Sequence, residues 1–205
     1  MDTPRPQSLI RRMPRITCLV LGAAIAVALI PKAQTCLIYD RAAILSGQFW
    51  RLFTGHWVHF STAHLVGDGL AIGIVGWIIE SKRLPHFGWL CLTAPWFISA
   101  ALLCFEPQLH YYGGLSAMAV CLIVYACLSG LQERGAWRWM CLAALVVLAA
   151  KLIMELATGR MLLASAVDPS ITVCTPAHLA GMLFAAMYYS LNRSTSIARQ
   201  PASTM

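Results

Sequence analysis

Apolar stretches of about 20 residues recur along the chain, separated by short polar breaks. One helix needs about 20 apolar residues to cross a bilayer core, so each stretch has the length of a membrane span. The stretches are too long for barrel strands and lack the alternation of apolar and polar positions that such strands show. The pattern therefore predicts an all-α polytopic membrane protein, a six-helix bundle with spans at roughly 16–37, 62–79, 87–105, 114–131, 137–157 and 173–191.

Basic residues are distributed unevenly among the polar breaks. Of the 15 Lys and Arg residues, ten lie before the first span, after the sixth, or in the breaks that follow the second and fourth spans, and the opposite breaks hold four. Because cytoplasmic segments carry the excess of basic residues, we expect both termini in the cytoplasm. The predicted organisation is a cytoplasmic tail over 1–15, a membrane domain over 16–191 and a second cytoplasmic tail over 192–205.

The first span has an alternative interpretation as a cleavable signal peptide. A basic start and an apolar core precede the letters PKAQ, which weakly resemble a processing site. The apolar run is long for a signal core, and cleavage would still leave five helices.

The composition excludes a water-soluble domain, with 59% hydrophobic residues, 11% charged residues and a mean hydropathy of +0.69. In a soluble protein the net charge of +7 could indicate nucleic-acid binding, but here the charges follow the membrane topology. The expected surroundings are membrane lipids, and no nucleic-acid partner is predicted.

Most of the eight cysteines lie inside predicted spans and are expected to be small buried apolar residues. No CxxC motif is present, so neither zinc nor redox chemistry is indicated, and we expect no metal and no organic cofactor. Cys36, Cys104 and Cys174 lie near the outer ends of spans, where an oxidising compartment could pair two of them.

Polar groups inside membrane spans are costly, so each is a functional candidate unless a structural partner explains it. His64 and Asp68 lie in the second span, Ser116 in the fourth and His178 in the sixth. All three spans enter from the outer face, and every one of these residues falls within the first two turns. At about 1.5 Å per residue, they share one shallow layer and could meet there.

Ser116 follows Gly113 and Gly114, and glycines at a helix start permit a tight turn that exposes a hydroxyl and free backbone N–H groups. Those donors suit a developing oxyanion. His178 lies on a helix face with small residues, which lets the imidazole approach a neighbouring hydroxyl and activate it as a nucleophile. The structural alternatives are a serine at a close helix crossing and an interfacial histidine satisfied by water.

Two further pairs have i,i+4 spacing and share a helix face. His64 could donate to an oxyanion with Asp68 orienting it, or the two could form a structural hydrogen bond. Lys151 and Glu155 are predicted to be an ion pair with a structural role, or a contact for a substrate terminus. Two other histidines, His56 and His59, are predicted to be headgroup or loop residues.

The segments WRLFTGHWVHFSTAHLVGD, GGLSA and AHLAG resemble, in order and spacing, the rhomboid intramembrane proteases, over roughly residues 49–187. Six spans, the short length and the Lys151 and Glu155 pair are more specifically similar to the rhombosortase subfamily. That subfamily processes C-terminal sorting signals of exported bacterial proteins, which contain a Gly-Gly motif, an apolar helix and a basic tail.

The resemblance implies that Ser116 is the nucleophile, that His178 is the general base, and that His64 and the backbone at Gly114 assist the oxyanion. It also has three departures. Asp68 stands where rhomboids usually have an Asn, and an ionised Asp would repel negative charge, so it must be protonated or must orient His64. Ala117 replaces the usual Gly after the serine. Val120 replaces an aromatic residue that stacks on the histidine in many rhomboids.

The predicted function is a serine endopeptidase in the bacterial inner membrane, with its site toward the periplasm and with transmembrane C-terminal segments of exported proteins as substrates. The acyl-enzyme would be released to water or to an amine, the second outcome making a transpeptidase. The alternatives are a catalytically impaired rhomboid-like protein that binds membrane clients, a general rhomboid protease with other transmembrane substrates, and a small transporter.

Overall fold

The computed structural model describes residues 13–158 and 174–198. Its long helices are α1 (Arg15–Leu29), α5 (Thr62–Ser81), α6 (Phe87–Phe105), α7 (Ser116–Gly130), α8 (Ala136–Thr158) and α9 (Thr175–Ala198). Its short elements are α2 (Pro31–Leu37), β1 (Tyr39–Asp40), α3 (Arg41–Leu45), α4 (Arg51–Thr54), a 3₁₀ turn (Gly55–Trp57) and β2 (Tyr111–Tyr112). The protein is thus mostly helical, and each predicted span contains one long helix.

Among the described residues, three helices are long and apolar enough to cross a membrane, namely α5, α6 and α8, and α1 and α7 are shorter apolar helices. Large apolar side chains remain exposed on the outside of the bundle, as expected for surfaces in contact with lipid tails. They include Leu70, Ile74, Trp89, Val146, Val147 and Leu183.

The first predicted span is wrong in its length. The helix expected over 16–37 ends at Leu29, Ile30 adopts an extended conformation, and α2 begins at Pro31. Proline has no backbone N–H and disfavours helical geometry in the residue before it, so the break falls at this position.

The sixth span also differs from its predicted bounds, because α9 continues to Ala198 beyond the expected end at residue 191. Parts of the predicted tails, residues 1–12 and 199–205, lie outside the described residues, as does the segment 159–173. Arg5, Arg11, Arg12, Arg160 and Arg199, which contributed to the predicted orientation, are therefore not described.

A small antiparallel ladder was not predicted. β1 pairs with β2, with Tyr39 opposite Tyr112 and Asp40 opposite Tyr111. The ladder ties the segment after α2 to the segment that leads into α7. The all-α prediction therefore needs this one correction.

Helix α7 is the centre of the bundle and is contacted by α5, α6, α8 and α9. Almost every residue from Ala117 to Cys127 is buried, on all sides of the helix. The helix is therefore enclosed by protein on all sides, which gives it the central place in the bundle. We call the end of the bundle at which α5, α7 and α9 begin the upper end.

The lower end is held by a capping contact between distant elements. The Glu80 carboxylate at the end of α5 accepts hydrogen bonds from the backbone N–H groups of Ile16 and Thr17, each at 3.0 Å, and from the Thr17 hydroxyl at 2.6 Å. The first N–H groups of a helix have no partner within it, and a carboxylate there also favours the helix dipole. This contact fixes α1 against α5.

The upper end is held by Arg51, whose side chain is buried. Its guanidinium donates to the carbonyl oxygens of Thr35 at 3.1 Å and Ile38 at 2.8 Å, and to Gln48 Oε1 at 2.8 Å. The carbonyl groups at the end of α2 are thereby satisfied by a cation, which the helix dipole favours. The segment between α2 and α5 is therefore anchored above the bundle.

Candidate active site

The loop before α7 brings Ser116 to the upper end of the bundle. Gly114 has φ +119°, and a Cβ there would lie 2.6 Å from His64 Nε2 and 3.1 Å from Asp68 Oδ2. Only glycine tolerates both that backbone conformation and that close approach. Ser116 is the first residue of α7. Its hydroxyl therefore lies beside the N–H groups that begin the helix.

His178 reaches this serine from α9. Its Nε2 lies 3.1 Å from Ser116 Oγ, and the residue is 3% exposed. The approach depends on Gly181, one turn further along, because a Cβ there would lie 2.5 Å from the Ala117 carbonyl oxygen. With this separation the imidazole can accept the hydroxyl proton, the arrangement by which a serine becomes a nucleophile.

A cluster of His59, His64 and Asp68 lies on the other side of Gly114. Asp68 Oδ2 is 3.2 Å from His64 Nε2 and 3.3 Å from His59 Nε2. His59 Nδ1 is 3.2 Å from the Trp57 carbonyl oxygen and must donate its proton there. The Asp68 carboxyl group thus joins the loop before α5, which carries His59, to the first turns of α5, which carry His64.

These contacts bear on the departure at Asp68, because both imidazoles meet the same carboxyl oxygen, Oδ2. The ring of His64 is also held by Phe60, which stacks on it with an interplanar angle of 15°. That Asp68 orients His64 stays a prediction.

Glu155 contacts the second ring nitrogen of His178. Its Oε2 lies 3.5 Å from His178 Nδ1, and its Oε1 accepts a hydrogen bond from Lys151 Nζ. The predicted pairing of Lys151 with Glu155 is present, but the contact with His178 was missed. The position of Glu155 along its span could have indicated this contact, because Glu155 lies near the upper end of the span, at the level of the serine.

His56 and His59 lie in the connecting segment between α4 and α5, as the loop prediction has it, but both are buried, which is at odds with a position in the headgroup layer. His56 Nε2 lies 3.0 Å from Ser99 Oγ and 3.2 Å from the Pro95 carbonyl oxygen. Burial lowers the pKa of His56 to about 4, against hydrogen bonds to the Pro95 and Gly114 backbones that raise it. The ring is therefore neutral at neutral pH and ties the 3₁₀ turn to α6.

The remaining predicted chemistry concerns metals and thiols. Within residues 13–158 and 174–198, no group of three or more His, Cys, Asp or Glu side chains is arranged to hold a metal ion. Cys36, Cys104 and Cys174, considered for a disulfide, are free thiols in this structure.

The fold and the site together define a class: a multi-pass helical membrane protein with a serine and a histidine in contact at the upper end of its central helices. The Rhomboid domain family matches residues 46–194, which include all of these site residues. The chain belongs to the rhomboid family, whose members are intramembrane serine proteases that act on transmembrane substrates. A search of curated proteins found no match.

Proposed function

We propose that the protein is an intramembrane serine endopeptidase in which Ser116 is the nucleophile and His178 the general base. The observation that carries the proposal is the 3.1 Å contact between Ser116 Oγ and His178 Nε2. Ser116 begins α7 and His178 lies in the first turn of α9, 62 positions away in sequence. A buried imidazole facing a hydroxyl beside free helix N–H groups has the parts that acyl transfer requires.

The reaction proceeds through a covalent intermediate. Ser116 Oγ attacks the carbonyl carbon of the scissile peptide while His178 Nε2 takes the hydroxyl proton. The imidazolium returns that proton to the leaving amine, and the C–N bond breaks to leave an ester on Ser116. A second nucleophile, water or an amine, then attacks the ester with His178 again as base, and the serine is regenerated.

The oxyanion of each tetrahedral intermediate would form near Gly114. Backbone N–H groups at the start of α7 and the imidazole of His64 are the donors proposed for it. Asp68 and His59 would hold His64 in place. Because negative charge at the oxyanion appears only during the reaction, these donors stabilise the transition state more than the bound substrate.

We further propose a six-span topology with both termini in the cytoplasm and the upper end toward the periplasm of a bacterial inner membrane. The bias of Lys and Arg toward alternate polar breaks supports this orientation. The shallow position of Ser116, at the first residue of its helix, supports water access from that side.

The proposed substrates are exported proteins that end in a Gly-Gly motif, an apolar helix and a basic tail. The similarity to rhombosortases supports this choice. Small residues at the cleavage point would suit a serine that follows the close contact of Gly114 with His64. The orientation proposed above would leave the basic tail of such a substrate in the cytoplasm, as positively charged segments prefer.

Covalent labelling tests the nucleophile. A serine-directed fluorophosphonate should label the detergent-purified protein, and Ser116→Ala should abolish the label. His178→Ala should slow labelling by about 10² to 10⁴-fold, the usual contribution of a general base. Ser129→Ala is the matched control, since Ser129 Oγ is bonded to the Tyr125 carbonyl oxygen at the lower end. Labelling that persists in Ser116→Ala would reject the proposal.

A further inference from the structure

Glu155 is a buried carboxylate at the level of the Ser116 and His178 contact. The residue is 3% exposed, although it lies on α8, a helix whose other faces are largely exposed. Burying a carboxylate is unfavourable unless cations or donors compensate it. Here its two oxygens face different partners, Oε1 toward Lys151 and Oε2 toward His178.

The two nitrogens of His178 have different requirements. Nε2 can accept the Ser116 proton only if it is unprotonated, and a neutral ring must then carry its proton on Nδ1. Glu155 Oε2 lies 3.5 Å from that atom and is acceptor-only when ionised. The carboxylate therefore favours the tautomer that the reaction requires. It also stabilises the imidazolium that forms when the serine is deprotonated.

Lys151 sets the effective charge of the Glu155 carboxylate, because it forms an ion pair with one of the two carboxylate oxygens. Its side chain is 23% exposed, so Lys151 is the more accessible member of the pair. Without Lys151, Glu155 would place a full negative charge beside His178. With it, part of that charge is neutralised.

We propose that Glu155 is a positioning residue for His178, and that Lys151 moderates its effect, so that the site works as a serine, histidine and glutamate triad rather than a dyad. The proposal rests on the function proposed above. It contrasts with a purely structural role, in which the Glu155 contact with His178 only joins α8 to α9 and Lys151 only compensates a buried charge. The two roles differ in what they do to the pH dependence of the serine.

Few other charged or titratable groups lie near His178 that could change the pH dependence of the serine. Among the described residues, α7 presents Ser116 and α8 presents Glu155 with Lys151 behind it. Helix α6 meets α9 through an apolar contact of Phe97 with Phe184. Directly before α9, the Cys174 carbonyl oxygen accepts a hydrogen bond from the His178 backbone N–H.

The test is the rate of fluorophosphonate labelling as a function of pH, measured for the full-length protein in detergent. Glu155→Gln should lower the plateau rate by about 10²-fold, because the amide can donate to Nδ1 and favour the wrong tautomer. The pH of half-maximal labelling should also fall by about one unit, since an adjacent anion no longer favours the protonated ring.

Lys151→Met should move the midpoint in the opposite direction, to higher pH, because the uncompensated carboxylate favours the protonated ring more strongly. A purely structural role predicts no midpoint shifts in opposite directions. Loss of Lys151 and loss of Glu155 should then have the same effect on labelling. Glu133→Gln is the matched control, because Glu133 forms an ion pair with Lys82 in an exposed position and its loss should leave rate and midpoint unchanged.

The outcomes separate this proposal from the function on which it rests. Absence of Ser116-dependent labelling in the unmodified protein would overturn both. Normal labelling with an unchanged rate and midpoint in Glu155→Gln would overturn only the role of Glu155. If Glu155→Gln does not fold, as judged by thermal unfolding, Lys151→Met decides: an upward shift supports the proposal and an unshifted midpoint rejects it.

Discussion

His64 shows how much a single side chain depends on its neighbours. Its identity as a candidate came from sequence, as a histidine inside a span with Asp68 one turn away. Its orientation comes from contacts that sequence spacing does not contain, with His59 at 5.0 Å between ring centroids and Phe60 stacked at 6.1 Å. These rings enclose the imidazole, so it is held in one orientation before substrate arrives.

At this scale we predict that His64→Ala lowers turnover by about 10²-fold while the Michaelis constant changes little. An oxyanion donor acts on charge that is present only in the transition state, and its loss typically has this size. Steady-state cleavage of a quenched peptide measures both constants. His110→Ala, an exposed position in the loop before β2, is the control. Unchanged turnover in His64→Ala would remove it from the proposed site.

Asp68 and Glu155 illustrate a common limit of residue-level prediction. Both were candidates because charged groups are expensive in a span, and both have their predicted i,i+4 partners. Each also has a second partner from a different part of the chain, His59 for Asp68 and His178 for Glu155. Helical periodicity identifies the face that two residues share, but it says nothing about which other segment meets that face.

The crossing of α7 and α9 is the decisive contact at the scale of elements. Small residues were expected to allow a close approach, and Gly181 on α9 lies directly against the backbone of Ala117 on α7. Because His178 is one turn above this point, any separation of the helices also separates His178 from Ser116. The geometry of the site is therefore set by a packing contact that contains no catalytic group.

We predict that Gly181→Ala reduces fluorophosphonate labelling by at least tenfold and lowers the free energy of unfolding by about 1 to 3 kcal/mol. The added methyl group would lie 2.5 Å from a backbone oxygen, which cannot move as a side chain tip could. Thermal or denaturant unfolding in detergent measures the second effect. Gly22→Ala is the control, since a Cβ there meets nothing within 4 Å. Equal behaviour of the two variants would contradict the role of the crossing.

For the whole molecule, the open question is the substrate. We predict that the enzyme cleaves an exported reporter that ends in Gly-Gly, an apolar helix of about 20 residues and an arginine-rich tail. Intact-mass measurement of the released reporter gives the cleavage point. Its mass also shows whether water or an amine accepted the acyl group, because a transferred amine adds its own mass.

The controls for this experiment are a reporter with Leu-Leu in place of Gly-Gly, and the Ser116→Ala enzyme. Release of both reporters at equal rates would reject the specificity for sorting signals. That result would support the alternative of a general rhomboid protease. Release that continues in Ser116→Ala would assign the cleavage to another protease.

Membrane class, approximate helix positions and the candidate polar residues were all predictable from the sequence. The bilayer imposes a length and an apolar composition on every span, and it makes each buried polar group conspicuous. The break at residues 29–31 shows the limit of that reasoning. The predicted span runs across this position, but the helix ends at Leu29 and a second helix begins at Pro31. The catalytic roles of Ser116 and His178, the six-span topology and the sorting-signal substrate stay predictions.

Only the tertiary structure decided which polar groups meet. Hydropathy places residues at a depth, but the rotation of each helix about its axis depends on packing against all of its neighbours. That rotation turned Glu155 toward His178. The path of the connecting segment before α5 brought His59 onto Asp68 and buried His56 against α6. The two-residue ladder between β1 and β2 likewise joins segments about 70 residues apart, a pairing that depends on long-range contacts and leaves no local signal.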